Sequence, residues 1–356
     1  MEFSIDNLVR KNIKELKPYS SARDEFTGAA NIFLDANENA YGSPVAYQFN
    51  KQDATQFNRY PDPLQSLLKQ KISEIKGMPA ENIFIGNGSD EAIDLLIRIF
   101  CEPGIDNIII LPPTYGMYKV CADINNIQVK EVPLITEFQI NLDGLASAID
   151  ECTKIIFICS PNNPTGNSIN KNDIEIVLNN FDGVVVIDEA YINYARQKTM
   201  LLALTEYPNL VIMQTLSKAW GLAALRLGMT FAGSSIIQYL NKVKYPYNIN
   251  DASQQLALQA LQNIDIVNRW TAEAVQQREW LANELLQFSF VQKIYPSDAN
   301  FILVQVHDAK ELYAYLMHAG IIVRDRSNVI LCNNCLRITI GTPQENRQLM
   351  ECLKKY

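Results

Sequence analysis

Seven short apolar runs between residues 80 and 235, separated by helical patterns, constrain this chain more than any other feature. They read NIFIG, DNIIILPP, IQVKEVPL, TKIIFICS, GVVVIDEA, LVIMQTLS and LGMTFAG. A strand that is apolar along its whole length is covered on both faces, which calls for a mostly parallel sheet between layers of helices. Most of the runs end in Gly, Pro, Ser, Asp or Thr, so polar groups collect at the strand ends where open α/β sheets bind ligands. The expected fold class is therefore α/β, a mostly parallel seven-stranded sheet flanked by helices.

After Pro246 the pattern changes to a long helical stretch, DASQQLALQALQNIDIVNRWTAEAVQQREWLANELLQF, too long for a crossover and read as a connector. Beyond it, ANFILVQV, GIIVRD and CLRITIG with one intervening helix suit a small α+β domain. The expected organisation is an N-terminal segment of residues 1–30 packing on the small domain, a large domain of residues 31–248 and a small domain of residues 249–356. The first segment is too short to fold alone.

Charge excludes some functions. The 356 residues carry 31 Lys plus Arg against 39 Asp plus Glu, a net charge of −8, which disfavours nucleic acid or an anionic membrane as partner. The start lacks the apolar stretch of a signal peptide, and no run approaches the ~18 apolar residues of a membrane span, so the expected location is the cytoplasm. The seven scattered cysteines read as reduced thiols. Cys332 and Cys335 form a C-x-x-C pair, but no second pair or nearby His completes a zinc site, so no metal is expected. His307 and His318 lie outside any nucleophile motif, which leaves a His-based hydrolase little support.

Four motifs carry chemistry. In TLSKAWGLAALRLG, Lys218 follows an apolar strand and is flanked by Thr215, Ser217 and Arg226. A lone lysine there is normally solvated. With two hydroxyls and a guanidinium alongside, the segment offers phosphate ligands and an amine that can form an imine with an aldehyde. In GVVVIDEAYINY, a buried-looking strand ends in Asp188, with Tyr191 after it. Such an Asp serves equally as a helix N-cap or as the carboxylate that keeps a pyridine nitrogen protonated. CSPNNPTG is a Pro-rich turn in which Asn163 can donate to a phenolate oxygen. In IGNGSDEAIDLLIRIF, the free amides of Ser89 and Asp90 at a helix start form an anion site, although a plain capping sequence would look alike.

GNGSDE, PPTYGMY, SPNNPTG, IDEAY and SKAWGLAALRLG, in this order and spacing, resemble the fold type I aminotransferases that use pyridoxal 5′-phosphate. LDANENAYG, RYPDP, PYSSAR, GIIVRDR and CLRITIGT are similar to the histidinol-phosphate aminotransferase family, and the match spans almost the whole chain. The resemblance implies that Lys218 binds the cofactor covalently, Asp188 pairs with its ring nitrogen, Asn163 and Tyr191 contact its ring oxygen, and Tyr115 stacks on the ring. It also implies a phosphate held by Ser89, Asp90, Thr215, Ser217, Arg226 and Tyr60, the last reaching across from the second subunit of a homodimer. Ala40 and Ala224 depart from the family, standing where Pro and Gly are usual.

The reaction so implied exchanges an amino group between L-histidinol phosphate and 2-oxoglutarate by ping-pong kinetics, with the Lys218 amine as proton carrier and its pKa depressed toward the working pH. An aromatic-amino-acid aminotransferase and a threonine-phosphate decarboxylase are the alternatives within the fold, and a cofactor-free binding module the alternative outside it. Arg324 and Arg337, on strand-like segments near the C-terminus, present guanidinium forks suited to carboxylate or phosphate, with Tyr19 as a further phosphate donor. Arg326 reads instead as a surface ion pair.

Overall fold

The computed structural model describes residues 10–17, 30–45 and 58–356. Thirteen strands are described: β1 Ile32–Phe33, β2 Ile83–Asn87, β3 Asn107–Ile110, β4 Gln128–Glu131, β5 Thr153–Cys159, β6 Val184–Asp188, β7 Leu210–Thr215, β8 Leu227–Ala232, β9 Val291–Ile294, β10 Phe301–Val306, β11 Ile321–Ile322, β12 Arg324–Asp325 and β13 Cys335–Thr339. The helices are α1 Lys11–Lys14, α2 Ser66–Lys76, α3 Ser89–Phe100, α4 Met117–Asn125, α5 Leu142–Ala148, α6 Lys171–Asn180, α7 Ser234–Val243, α8 Asp251–Leu261, α9 Ile264–Leu285, α10 Ala309–His318 and α11 Pro343–Leu353, beside short 3-10 turns.

The seven apolar runs form one sheet of order β2-β8-β7-β6-β5-β3-β4. Only β8 runs against its neighbours. It leaves β7 through residues 216–226, too short a connection for the helical crossover that a parallel neighbour requires. Two reversals restore the direction, so β2 points the same way as β3, β5, β6 and β7, and their C-terminal ends share one edge. Alternation sorts the side chains: Val185 and Ile187 of β6 join one apolar layer, Val184 and Val186 the other. Each such side chain contributes roughly 1.5–3 kcal/mol on burial, so both faces must be sealed by helices.

The C-terminal region holds an antiparallel sheet of order β12-β13-β10-β9 with its own core, including Leu281, Ile302, Leu336 and Leu349. The apolar runs near the C-terminus recur here, and β9, with every residue partly exposed, is an edge strand that a search for apolar runs passes over. The helical connector is two helices, interrupted at Gln262 and Asn263.

Of the N-terminal segment only residues 10–17 and 30 are described, and residues 10–17 lie against the large domain rather than where the sequence reading put the segment: Arg10 and Asn12 donate to the Ile124 and Asp123 carbonyls at the end of α4, 3.1 and 2.9 Å away. Carbonyls at a helix end lack the regular partner one turn on; that of Asp123 accepts also from the Asn126 N–H at 3.2 Å, and donors from another segment add to these end-of-helix bonds. Conversely, β1, placed in the large domain by the sequence, pairs with β11 and buries Ile32 and Leu34 in the C-terminal core. Residues 35–45 then cross back toward the large sheet. Among the described residues no helix is long and apolar enough to cross a membrane, and no group of three or more His, Cys, Asp or Glu is placed to hold a metal ion.

Candidate active site

A pocket at the shared strand edge is lined by Ser89, Asp90, Tyr115, Asn163, Asp188, Tyr191, Thr215, Ser217, Lys218, Arg226, Arg324 and Arg337. These are all the sequence-derived site residues except two. Tyr60 is 81% exposed and stacks on Tyr247 with ring centroids 4.4 Å apart, away from this pocket. Tyr19 lies outside the described residues.

One end of the pocket is a nest of backbone amides. Gly88 precedes α3 with φ 75° and ψ 170°, a conformation reserved for glycine, and offers no side-chain cap to the helix. The first amides of α3 therefore remain available, and the helix dipole adds positive potential there. Close approach is enforced from β8, since a Cβ on Gly228 would lie 2.5 Å from the Ser89 nitrogen. Arg226 adopts φ 55°, unusual for a side-chain-bearing residue, while its carbonyl accepts from Gly88 N–H at 2.7 Å and its Nη2 reaches Asp90 Oδ2 at 3.3 Å. The Ser89 hydroxyl is buried without a partner among the described residues. The Thr215 hydroxyl is already engaged, accepting from Ser217 N–H at 3.0 Å and donating to the Leu227 carbonyl at 3.2 Å.

Asp188 forms the floor. Its Oδ2 accepts from the Tyr118 hydroxyl at 2.8 Å and its Oδ1 from Ala190 N–H at 3.1 Å. Burial pushes this carboxyl up to about 6, against the pull of those two hydrogen bonds. A buried carboxylate so raised is one whose natural partner is a cation from outside the protein. Tyr118 was overlooked in the sequence. It lies three residues beyond Tyr115 in PPTYGMY, is fully buried, and stacks on Phe157 at 4.7 Å, which fixes its hydroxyl under Asp188.

Lys218 stands between the two ends. Its Nζ donates to the Ala36 carbonyl at 3.0 Å and lies 5.9 Å from the Tyr191 ring centroid. Burial, and after it the Arg337 charge, push the amine down to about 8, with Glu38 opposing the shift.

At the far end Arg337, from the fully buried strand β13, donates to Asn163 Oδ1 at 2.6 Å and to the Asp35 carbonyl, with Phe301 behind it at 5.3 Å. The bond to Arg337 leaves the N–H groups of Asn163 as donors. Arg324 is buried beside them. Arg326, assigned by the sequence to a surface ion pair, lines the pocket instead. Its N–H closes onto the Cys335 carbonyl at 2.8 Å, so the turn of residues 327–334 folds it back over β13. Ala36, Asn37, Cys159 and Ala190 complete the lining, and only the LDANENAYG motif hinted at the first two.

These features suit pyridoxal 5′-phosphate. The amide nest and the Ser89 hydroxyl, without a partner among the described residues, match a phosphate, the buried Asp188 carboxyl a protonated ring nitrogen, and the depressed Lys218 amine an aldehyde.

The family described as aminotransferase class I and II matches residues 29–353. The chain is 52% identical to a histidinol-phosphate aminotransferase of Cytophaga hutchinsonii over 100% of both chains. It is 50% identical to one of Bacteroides thetaiotaomicron over 99% of each. The fold superposes on a histidinol-phosphate aminotransferase of Sinorhizobium meliloti, solved in complex with pyridoxal-5′-phosphate, with a TM-score of 0.86, 22% identity and coverage of 98% of this chain and 96% of that one. The chain belongs to the class I and II aminotransferases and, within them, to the histidinol-phosphate aminotransferase family.

Proposed function

We propose that the protein is a pyridoxal 5′-phosphate enzyme that transfers the amino group between L-histidinol phosphate and 2-oxoglutarate in histidine biosynthesis. The observation that carries this reading is the meeting, in one pocket, of a depressed lysine amine, a buried carboxylate with no cationic partner among the described residues, an amide nest and two buried arginines. When bound, the cofactor supplies an aldehyde for covalent attachment and a ring that draws off negative charge developing at the substrate Cα.

In this reading Ser89, Asp90, Ser217 and Arg226 hold the phosphate, with Thr215 shaping the turn that presents Ser217. Asp188 holds the ring nitrogen protonated, Tyr115 covers the ring, and Asn163 and Tyr191 donate to the ring oxygen. Lys218, its amine lowered by burial, would take the proton from the donor's Cα and deliver it to the cofactor carbon that had carried the aldehyde, on the other side of the linking nitrogen. Arg337 and Arg324 bind the carboxylate of glutamate in one half-reaction and the phosphate ester in the other, where Tyr19 adds a donor.

We further infer a homodimer in the cytoplasm, in which exposed Tyr60 completes the phosphate site of the partner subunit. Residues 31–248 and 249–356 act as large and small domains, apart from β1, which is a strand of the small one.

The test is steady-state kinetics of the purified protein with histidinol phosphate, phenylalanine, tyrosine and threonine phosphate as donors and 2-oxoglutarate as acceptor. Parallel double-reciprocal lines and a kcat/KM highest for histidinol phosphate are expected. A higher value for the aromatic amino acids, or carbon dioxide release from threonine phosphate, would reassign the substrate.

A further inference from the structure

Tyr191 is almost fully buried, and its hydroxyl accepts a hydrogen bond from Asn37 Nδ2 at 3.0 Å. No described residue accepts the proton of that hydroxyl. Asn37 is held by a closed pair of bonds with Thr339 on β13. The Asn37 backbone N–H donates to Thr339 Oγ1 at 3.1 Å, and Thr339 Oγ1 donates to Asn37 Oδ1 at 3.0 Å. A hydroxyl has one proton, so once Thr339 has given its proton to Oδ1, the Asn37 amide presents N–H rather than C=O to Tyr191. Asn300 Nδ2 steadies the same residue by donating to its backbone carbonyl at 3.1 Å.

A turn residue would explain part of this. Asn37 has φ 53°, in the left-handed region that Asn and Asp tolerate. That accounts for the backbone, but not for a 2% exposed side chain satisfied at both ends by groups from β13 and from the loop after β6. We propose that Asn37, oriented by Thr339, is a positioning residue that makes the Tyr191 hydroxyl an acceptor on its outer side and so turns the phenolic proton into the pocket. The inference rests on the reading that Tyr191 donates to the ring oxygen, and it adds what sets the direction of that donation. It also gives β13 a second task, since Arg337, which lines the pocket, and Thr339, which holds the pocket-lining Asn37 from behind, stand two residues apart on one face of the strand.

The readout is the pH titration of the visible absorbance of the cofactor-loaded enzyme, together with cofactor affinity. A donor to an anionic ring oxygen favours the deprotonated form, so loss of that donor raises the apparent pKa of the band. The charged and titratable groups facing Tyr191 are Arg337, Asp188, Cys159, Lys218 and Tyr194, and none of these is altered by the variants. Asn37→Asp keeps the size and backbone tolerance but replaces the N–H by an acceptor, which draws the phenolic proton outward. Its apparent pKa is expected to rise by about one unit, tenfold in proton affinity, close to the rise in Tyr191→Phe. Asn37→Asp combined with Tyr191→Phe should add little to Tyr191→Phe alone. Thr339→Val, which leaves Asn37 in place but frees its amide to turn over, should shift the band in the same direction by less. It carries the test if Asn37→Asp fails to load cofactor.

If Tyr191→Phe shifts the band while Asn37→Asp and Thr339→Val titrate like the unmodified enzyme, the positioning role is wrong and the reading of Tyr191 stands. A shift in Asn37→Asp that persists in full in the double variant would mean that the carboxylate acts by its charge, and would also overturn the proposal. If Tyr191→Phe itself shifts nothing, both fall together.

Discussion

The two ends of the pocket are built by different means. The end with Ser89, Asp90, Ser217 and Arg226 belongs to the sheet edge, where hydrogen-bonded neighbours β2, β8 and β7 bring Gly86, Gly228 and Thr215 into register. Its ligands are backbone amides, the Ser89 and Ser217 hydroxyls and the Arg226 guanidinium, set at the ends of strands that are buried except at Asn87. The other end is assembled from remote stretches: Arg337 meets Asn163 across 174 residues and Asp35 across 302. Its ligands are long guanidinium side chains carried by a separate small sheet. Anchoring the cofactor is thus a property of one rigid sheet, whereas recognising the substrate depends on how a second unit seats against it.

Lys218 joins the two ends and should show the largest effect. Lys218→Ala removes both the attachment point and the proton carrier, and a loss of at least ~10⁴-fold in kcat is expected, on the scale of general acid–base catalysis combined with covalent catalysis. Single-turnover assays measure it, and near-normal transamination would break the assignment outright. Next come Arg226 and Arg337, which separate the ends. Arg226→Ala should weaken cofactor affinity by about ten- to hundredfold, the value of a hydrogen bond to a charged group, with substrate KM little changed once cofactor saturates. Arg337→Ala should do the reverse, lowering kcat/KM in both half-reactions by a similar factor while cofactor titration stays close to normal. Equal effects of both variants on both measurements would erase the distinction drawn between the ends.

The same difference explains what the sequence disclosed. The seven strands and the residues at their ends were legible because each motif is a strand followed by a turn, and local chemistry announces both. The far end was legible only through resemblance, because nothing local to LDANENAYG says that its carbonyls will accept from Lys218 and Arg337. Arg326 was misread for a related reason: two residues from buried Arg324 on a chain that looks solvent-bound, it is turned inward by a loop whose path the sequence does not encode in any simple period. Tyr118 escaped because an aromatic residue on a helix facing the sheet is ordinarily core, and its hydroxyl matters only through Asp188. The short N-terminal pieces went astray because their partners, the end of α4 and the two-residue β11, are tertiary.

Asp188 lies beneath the middle of the pocket and shows the strain that both ends share. Its carboxyl is raised from 3.8 to about 6 by burial. Below about pH 4 it is protonated whether the chain is folded or not, and burial costs little. Between pH 4 and 6 the unfolded chain releases its proton first, so the cofactor-free fold loses on the order of 2–3 kcal/mol, a loss complete above pH 6. Asp188→Asn without cofactor should therefore gain thermal stability relative to the unmodified protein as pH rises through this window, with no gain below it. With cofactor bound the order should reverse, because Asn cannot neutralise a protonated ring nitrogen. Melting curves with and without cofactor at pH 4, 6 and 8 test both statements, and a pH-independent difference would contradict the assigned cause.

The smallest expected effect falls on the rigid end and probes how far its groups exist for a ligand rather than for the fold. Ser89 has a buried hydroxyl with no partner among the described residues, so folding gains no hydrogen bond from it and bears the cost of removing it from water. In Ser89→Ala the helix start is unchanged, since Gly88 and not Ser89 is the cap residue. The melting temperature of the cofactor-free protein should hold or rise slightly, within about 0.5 kcal/mol. Cofactor affinity should fall roughly tenfold, the lower range for a hydrogen bond to a charged group. Thr215→Val makes the contrast, because its hydroxyl is bonded at both Ser217 and Leu227 and its loss should reduce stability as well as affinity. Calorimetry of the two variants beside fluorescence titration with cofactor separates the cases. If Ser89→Ala destabilises the cofactor-free fold as much as Thr215→Val, the hydroxyl serves the helix start, and the phosphate rests on the amides and Arg226 alone.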